Sequence, residues 1–441
     1  MPKDIPPFPD FKPPTYPPPG LTARTYDISL ITPMFGGGVE PRVNDRRFPI
    51  RPTAIRGQLQ FWWRATVGAQ YTSVDELRAA QMQIWGSTDR ASRVQAIVKK
   101  FHADEPLPCA RYAPKHDGAL QIAWHDHFST QENALPYALF PFQGQLSKDR
   151  RKVEQEPATC IPKARFELRL QFPTSMEAEI EAAVWAWVNF GGLGCRTRRG
   201  CGAIRCERFA PRDHLELKAQ LAQFAPNLTA VREWPTISKD ILSRTEGSDP
   251  RTVWSWLIGQ YKFFRQGVDF ARNRGQQANR PGRSRFPEPE TIRETLRADR
   301  SRSGHQRLPK IPADALPRAE LGLPIIYELR GNGEPPKTTV QPIVDGKPGD
   351  RMASPLILKP LSLASGQAIP LILRLNGPQL KSVVLMQGQQ EQRRFDSDGI
   401  RGSRLTTSGD QPMSYSKNGS ALEAFLNFIQ SPDLGFTEVT R

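Results

Sequence analysis

Little in this chain speaks for catalysis. Its 441 residues include only five cysteines and six histidines. There is no CxxC, and Cys195, Cys201 and Cys206 are separated by five and four residues, which fits neither a zinc ribbon nor a zinc finger. Reduced thiols of a cytoplasmic protein are the reading. The histidine cluster, Trp124 to His127, sets His125 and His127 two apart, on one face of a strand, with no second ligand pair elsewhere. Asp27 and Asp45 flank a glycine segment but nothing else marks them, and the remaining carboxylates form no recognisable acid–base pair. No Lys-Ser/Thr pair follows a glycine run, which excludes a P-loop. The main glycine loop follows a helix, so it is not a dinucleotide fingerprint, which lies between strand and helix. No apolar run approaches the roughly 20 residues of a membrane span, and the proline-rich start has no hydrophobic signal core. The sequence therefore predicts no catalytic residue, no metal, no cofactor and a cytoplasmic protein.

What is abundant is positive charge, mostly arginine, with a formal net charge of +16. Guanidinium forks suit phosphate, so this surplus favours a nucleic-acid partner. Half of it is local: residues 262–310 hold thirteen Lys/Arg against five Asp/Glu. Within that tract 272–285 has almost no apolar residues and reads as an RNA-contacting loop, with Arg272 and Arg274 as candidates. Residues 1–20 contain nine prolines and read as an extended arm, disordered alone or laid along a partner.

The stretch 164–209 organises the rest. Phe166, Leu168, Leu170 and Phe172 alternate with polar residues as a half-buried strand. Thr174 and Glu177 have capping-box spacing. Ile180, Ala183, Val184, Trp187 and Val188 then recur at helical spacing. The helix stops at Gly191 and Gly192, and a loop follows with Gly194, Arg196, Arg198, Arg199, Gly200 and Gly202 before a short strand near 203–209. Glycines let backbone approach a ligand, and arginines bind phosphate oxygens in pairs, so the loop reads as an anion or RNA site.

A second glycine–arginine segment follows the first strand (25–33): Gly36, Gly37 and Gly38, then Arg42, Arg46, Arg47 and Arg51. The helix after it, 54–68, buries Ile55, Leu59, Trp62 and Thr66, while Arg56, Gln60 and Arg64 share another face at spacing four. Core packing, rather than base stacking, is the reading for Trp62 and Trp63. A helical segment ends near 84–87, and strand-like pieces follow at 93–99, 120–124 and 135–142. The order is β-α-β-β-α-β, the ferredoxin-like or RRM-like pattern. Residues 211–249 read as a polar connector with some helix, 251–270 as a helix, and 323–329, 355–363, 369–375 and 381–386 as strands before a closing helix at 420–430. The chain is predicted to be α+β: an arm (1–20), a first ferredoxin-like unit (21–212), and a second unit (213–441) with a basic loop insertion near 265–310.

Several segments together carry a resemblance: 31–38 (ITPMFGGG), 50–65 (IRPTAIRGQLQFWWRA), 84–87 (IWGS), 189–202 (NFGGLGCRTRRGCG), 318–324 (RAELGLP) and 351–356 (RMASPL). They resemble the RAMP superfamily of CRISPR proteins, most closely the first-subunit family of the type III-B (Cmr) RNA-targeting effector complex. The resemblance implies two tandem ferredoxin-like units and adds Arg318 to the candidate RNA contacts. It further implies a non-catalytic subunit at one end of a ribonucleoprotein, toward the 3′ end of the guide RNA and beside other RAMP subunits, helping capture target RNA in antiviral defence. Two rivals stand beside this reading: a RAMP-type CRISPR RNA-processing endoribonuclease, which would need a positioned histidine such as His125 or His127, and a general single-stranded RNA-binding module.

Overall fold

Two four-stranded antiparallel sheets, identical in strand order, carry the chain in the computed structural model, which describes residues 20–129, 134–267, 286–303, 314–329, 331–401 and 415–440. The first sheet contains β1 (Leu21–Leu30), β2 (Gln95–Ala103), β3 (Ala164–Pro173) and β4 (Ile204–Arg205). Helix α1 (Pro52–Ala65) lies between β1 and β2, and α2 (Glu177–Phe190) between β3 and β4. The second contains β5 (Thr236–Ser243), β6 (Leu356–Ser362), β7 (Ala368–Asn376) and β8 (Thr437–Glu438), with α3 (Pro250–Gln266) after β5 and α4 (Ala421–Ile429) before β8. Across the sheets the orders are β4-β1-β3-β2 and β8-β5-β7-β6. The fold is thus mixed α and β with antiparallel sheets, and the same β-α-β-β-α-β succession occurs twice.

The alternation in β3 does what period two demands. Phe166, Leu168, Leu170 and Phe172 are all buried, and Ile28 and Tyr26 of β1 stand opposite Phe166 and Leu168. Helix α2 is buried on every side from Ala182 to Phe190, because it packs both on α1 and against β6 of the second unit. Trp62, Trp63 and Trp187 are core residues, as expected from the sequence, and Trp185 is buried as well. One hydrophobic cluster holds Trp62 and Trp187 together with Ile357, Leu371 and Leu373, so the two units share a core.

Four local expectations need correction. The capping box does not form: Thr174–Met176 is a 3-10 turn, Thr174 accepts from the Thr22 hydroxyl at 2.9 Å, and Glu177 instead takes Arg24 Nε at 2.6 Å. The segment 135–142 is a short helix, Ala134–Leu139, and a 3-10 turn, because a short, nearly continuous apolar run has no period to distinguish helix from strand. The supposed connector 211–249 contains β5, a central strand; its register shifts against β7 between Ile237 and Ile241, which breaks the alternation. The hairpin holding 120–124 pairs only with Ala110–Pro114, outside the main sheet. Long connections in the second unit build a third sheet from Ile325–Tyr327, Thr338–Val344, Ser382–Gln387 and Gln390–Asp396, with Lys347–Pro348 at its side.

Candidate nucleic-acid interface

Chain direction brings two connections of the first unit to one end of its sheet: β1 to α1, and α2 to β4. Both are the glycine–arginine segments, and they are clasped together. Cys195 N–H donates to Phe35 O at 2.7 Å and Gly202 N–H to Pro33 O at 2.8 Å. The Thr32 hydroxyl donates to Gly200 O at 2.6 Å and accepts Ala203 N–H at 2.8 Å. Two glycines are irreplaceable for that clasp. Gly194 (φ 77) and Gly202 (φ 61) both lie in the left-handed region, and a Cβ there would strike the carbonyls of Phe35 and Leu193. Gly36 and Gly37 also have positive φ, and Gly191 and Gly192 are buried where α2 ends. The backbone is therefore less open than the glycine count suggests: the N–H groups of Gly191, Leu193, Cys195, Arg199, Gly200 and Gly202 already have carbonyl partners.

The end of α2 is held from the other unit. Lys359 of β6 is fully buried and donates to Val188 O at 2.8 Å and Gly191 O at 2.9 Å. It thereby satisfies two of the carbonyls that a helix C-terminus leaves without partners. Burial pushes its ammonium down to about 7.

The loop arginines divide. Arg196, in the left-handed region, is exposed, and its guanidinium makes no hydrogen bond or ion pair with the described residues; the guanidinium of Arg46 on the neighbouring segment is likewise exposed and unpaired among them. Arg198 and Arg199 face the second unit. Arg198 donates to Ser354 O and lies 5.9 Å from the Phe61 ring. Arg199 donates to Leu356 O at 2.9 Å and to the Tyr261 hydroxyl at 3.3 Å, its guanidinium 4.8 Å from that ring. The expectation that this pair carries no packing is corrected: it fastens the loop to the RMASPL segment and to α3. Burial and the adjacent Arg199 both disfavour charge on Arg198. Among the described residues no carboxylate pairs with Arg196, Arg198 or Arg199.

Arg265 joins them from α3, with its guanidinium 5.7 Å from the Tyr261 ring, and the Tyr137 ring stands 6.3 Å away. Burial alone would push the Tyr261 phenol up, but Arg199 and Arg265 pull it below its ordinary value. Arg318 reaches the same cluster between the Phe286 and Tyr327 rings, at 5.1 and 5.3 Å, and is paired with Glu288 at 3.1 Å. The junction is thus a partly buried set of guanidiniums with one carboxylate, Glu288, and two tyrosine rings meeting edge to face, a composition in which cations outnumber anions and ring faces are offered to guanidiniums.

The other candidates do different work. Arg56 donates to Trp85 O and Arg64 to Gln81 Oε1 at 2.9 Å, so their shared face fastens α1 to the Val74–Trp85 helix. Arg51 lies 3.5 Å from Asp45, which itself caps the turn by accepting the N–H groups of Phe48 and Arg47. Arg272, Arg274 and the proline-rich arm lie outside the described residues. His125 and His127 sit in the turn after the Leu120–Trp124 strand, with rings stacked 5.0 Å apart. Among the described residues no three His, Cys, Asp or Glu side chains gather as a metal site, and no helix is long and apolar enough to cross a membrane. All five cysteines are free thiols, and burial pushes Cys201 up to about 12. Tyr137, Tyr261, Arg265 and Lys359 were not singled out in the sequence. Tyr261 sits in the apolar stripe of α3, and a lysine in an all-buried strand has no local signature; only Arg265, at the start of the basic tract, carried a signal.

Comparison with known proteins places this geometry in context. Residues 27–205 match the model of the RAMP superfamily. The CRISPR system Cmr subunit Cmr1-2 of Pyrococcus furiosus is 24% identical over 192 residues, 41% of this chain and 94% of that protein. Cmr subunit Cmr1-1 of the same organism is 25% identical over 166 residues, 37% of this chain and 42% of that protein. Among solved structures, apo Cmr1 from Pyrococcus furiosus aligns over 87% of this chain and 96% of its own, with a TM-score of 0.46 and 17% identity. A chain of the type III-B Cmr-beta complex bound to cognate target RNA aligns over 81% of this chain and 94% of its own, with a TM-score of 0.43 and 11% identity.

Proposed function

We propose that this chain, whose residues 27–205 match the model of the RAMP superfamily, is an RNA-binding subunit of a type III-B CRISPR ribonucleoprotein effector complex. The observation that carries the reading is the convergence of Arg196, Arg198, Arg199 and Arg265 on the glycine clasp where the two units meet, with no carboxylate among the described residues pairing any of the three loop arginines. Such a site holds phosphates and fixes register, while guide–target pairing reads sequence. We read the repeated β-α-β-β-α-β units as tandem ferredoxin-like domains divided near residue 212. The role is non-catalytic: the chain sits in the cytoplasm at one end of the assembly, near the 3′ end of the guide RNA and beside other RAMP subunits, and helps capture target RNA.

The purified protein is expected to bind single-stranded RNA with little sequence preference, its log affinity falling with log salt by about 0.7 per phosphate neutralised. A salt-independent affinity would contradict the electrostatic account. Labelled guide and target RNA should stay intact with or without divalent metal. Cleavage lost on His125→Ala or His127→Ala would make the chain a processing endoribonuclease instead.

A further inference from the structure

On the far side of the glycine clasp lies a cavity of about 550 Å³ that the arginine–tyrosine junction does not use. It opens at the same end of the first sheet, where β1 ends, β2 ends and β3 begins. Its floor is apolar and buried: Leu30, Pro162, Ala164 and Trp254. Its rim is exposed and mostly cationic: Lys163, Arg165 and Arg251, with one carboxylate, Asp104. Sheet register fixes part of that rim, since Ser29, Arg165 and His102 stand directly opposite one another on β1, β3 and β2. Arg251 is anchored by donating to the carbonyls of Asp126 and Ser129, the latter at 3.1 Å. His127 lines the wall with its ring stacked on His125. Burial, His125, Arg251 and Lys163 all hold its imidazole below the ordinary value, so it presents an uncharged ring at neutral pH.

The cavity is continuous with the clasp. Thr32 and Pro33 of its wall are the residues that bond Gly200, Ala203 and Gly202, and Trp254 of its floor donates to Arg199 O at 2.7 Å. The volume lies within the usual range for a small-ligand site. An apolar floor with a cationic rim suits a nucleotide, its base against the floor and its phosphate on the rim. Resting on the RNA-binding reading above, we propose that this cavity takes one nucleotide of the single-stranded RNA that crosses the glycine clasp, with Lys163, Arg165 and Arg251 on its phosphate and His127 beside its base.

The test is charge reversal on exposed positions, which leaves the core untouched. Lys163→Glu with Arg165→Glu is compared with Lys347→Glu with Lys381→Glu, an equal charge change on the third sheet. The readout is affinity of the full-length protein for a uridine-rich single-stranded oligonucleotide across a salt series. The cavity variant should lose about tenfold or more in affinity, with a salt slope shallower by about 1.4, whereas the control should lose less than about threefold. A 5-iodouridine oligonucleotide should photo-crosslink to His127 in the wild-type protein. Equal losses in both variants, with crosslinks elsewhere, would overturn the cavity assignment while leaving RNA binding intact. Failure of the wild-type chain to bind RNA at all would overturn both.

Discussion

The two β-α-β-β-α-β units have one strand order but elaborate different connections. In the first, the link from the second helix to the last strand is the glycine–arginine loop; in the second, α4 reaches β8 through 430–436, a tight turn closed by Leu434 and Gly435 N–H on Ser431 O. The first-strand-to-helix link is likewise long and glycine-rich in the first unit (31–51). In the second it is short, ending at Asp249, which caps α3 by accepting the N–H groups of Arg251 and Thr252. The second unit instead extends the middle and late connections into its third sheet. The two units divide the labour. The first unit builds the loop, and the second holds it, through Lys359, the carbonyls of Ser354 and Leu356, Tyr261 and Arg265.

That division predicts unequal effects at matched positions. Gly202→Ala puts a Cβ into the Leu193 carbonyl at positive φ, so it should destabilise by more than about 3 kcal/mol and abolish RNA binding. Gly435→Ala, also at positive φ (63°) but with only the end of Arg244 near its Cβ, should cost about 1 kcal/mol. Equal melting shifts would erase the contrast between clasped loop and simple turn.

Next in size is Lys359. Burial holds its ammonium down at about 7 in the folded chain, below the ordinary lysine value of 10.5. Between those values the unfolded chain binds more protons, so stability from this group rises as pH climbs from about 7 to 10.5 and is lowest below 7. Lys359→Met should flatten that rise relative to wild type, as read by urea midpoints across the series. An unchanged pH profile would mean that Lys359 titrates alike in the folded and unfolded chain.

Arg198→Ala with Arg199→Ala should be intermediate. It removes contacts between the units as well as charge, so it should destabilise by about 1–3 kcal/mol and weaken RNA binding together. Melting that does not move would return both side chains to solvent.

The sequence carried the first unit well, because its signals are local and strong: alternation in β3, helical spacing in α1 and α2, and two glycine runs, which the Cys195–Phe35 bond joins. It carried the second unit less well. The strands at 355–363 and 369–375 correspond to β6 and β7, but the register shift in β5 interrupts its pattern, and 211–249 reads as a connector instead. At the site, residue type marked the loop arginines but not their partners. Whether an arginine meets solvent, as Arg196 does, or a carbonyl 157 positions away, as Arg199 does, is decided by tertiary packing. The same holds for Arg56 and Arg64, which look like a basic face and act as helix-to-helix ties.

The smallest structural change tests the central claim most directly. Arg46→Ala with Arg196→Ala removes two exposed guanidiniums that make no ion pair with the described residues, so melting should shift by less than about 0.5 kcal/mol equivalent. Measured beside it, single-stranded RNA affinity should fall about tenfold, uniformly across sequences, with the salt slope shallower by about 1.4. Wild-type affinity and slope in a variant that melts normally would contradict the account, since the glycine clasp would then be a joint between two units and not a surface for RNA.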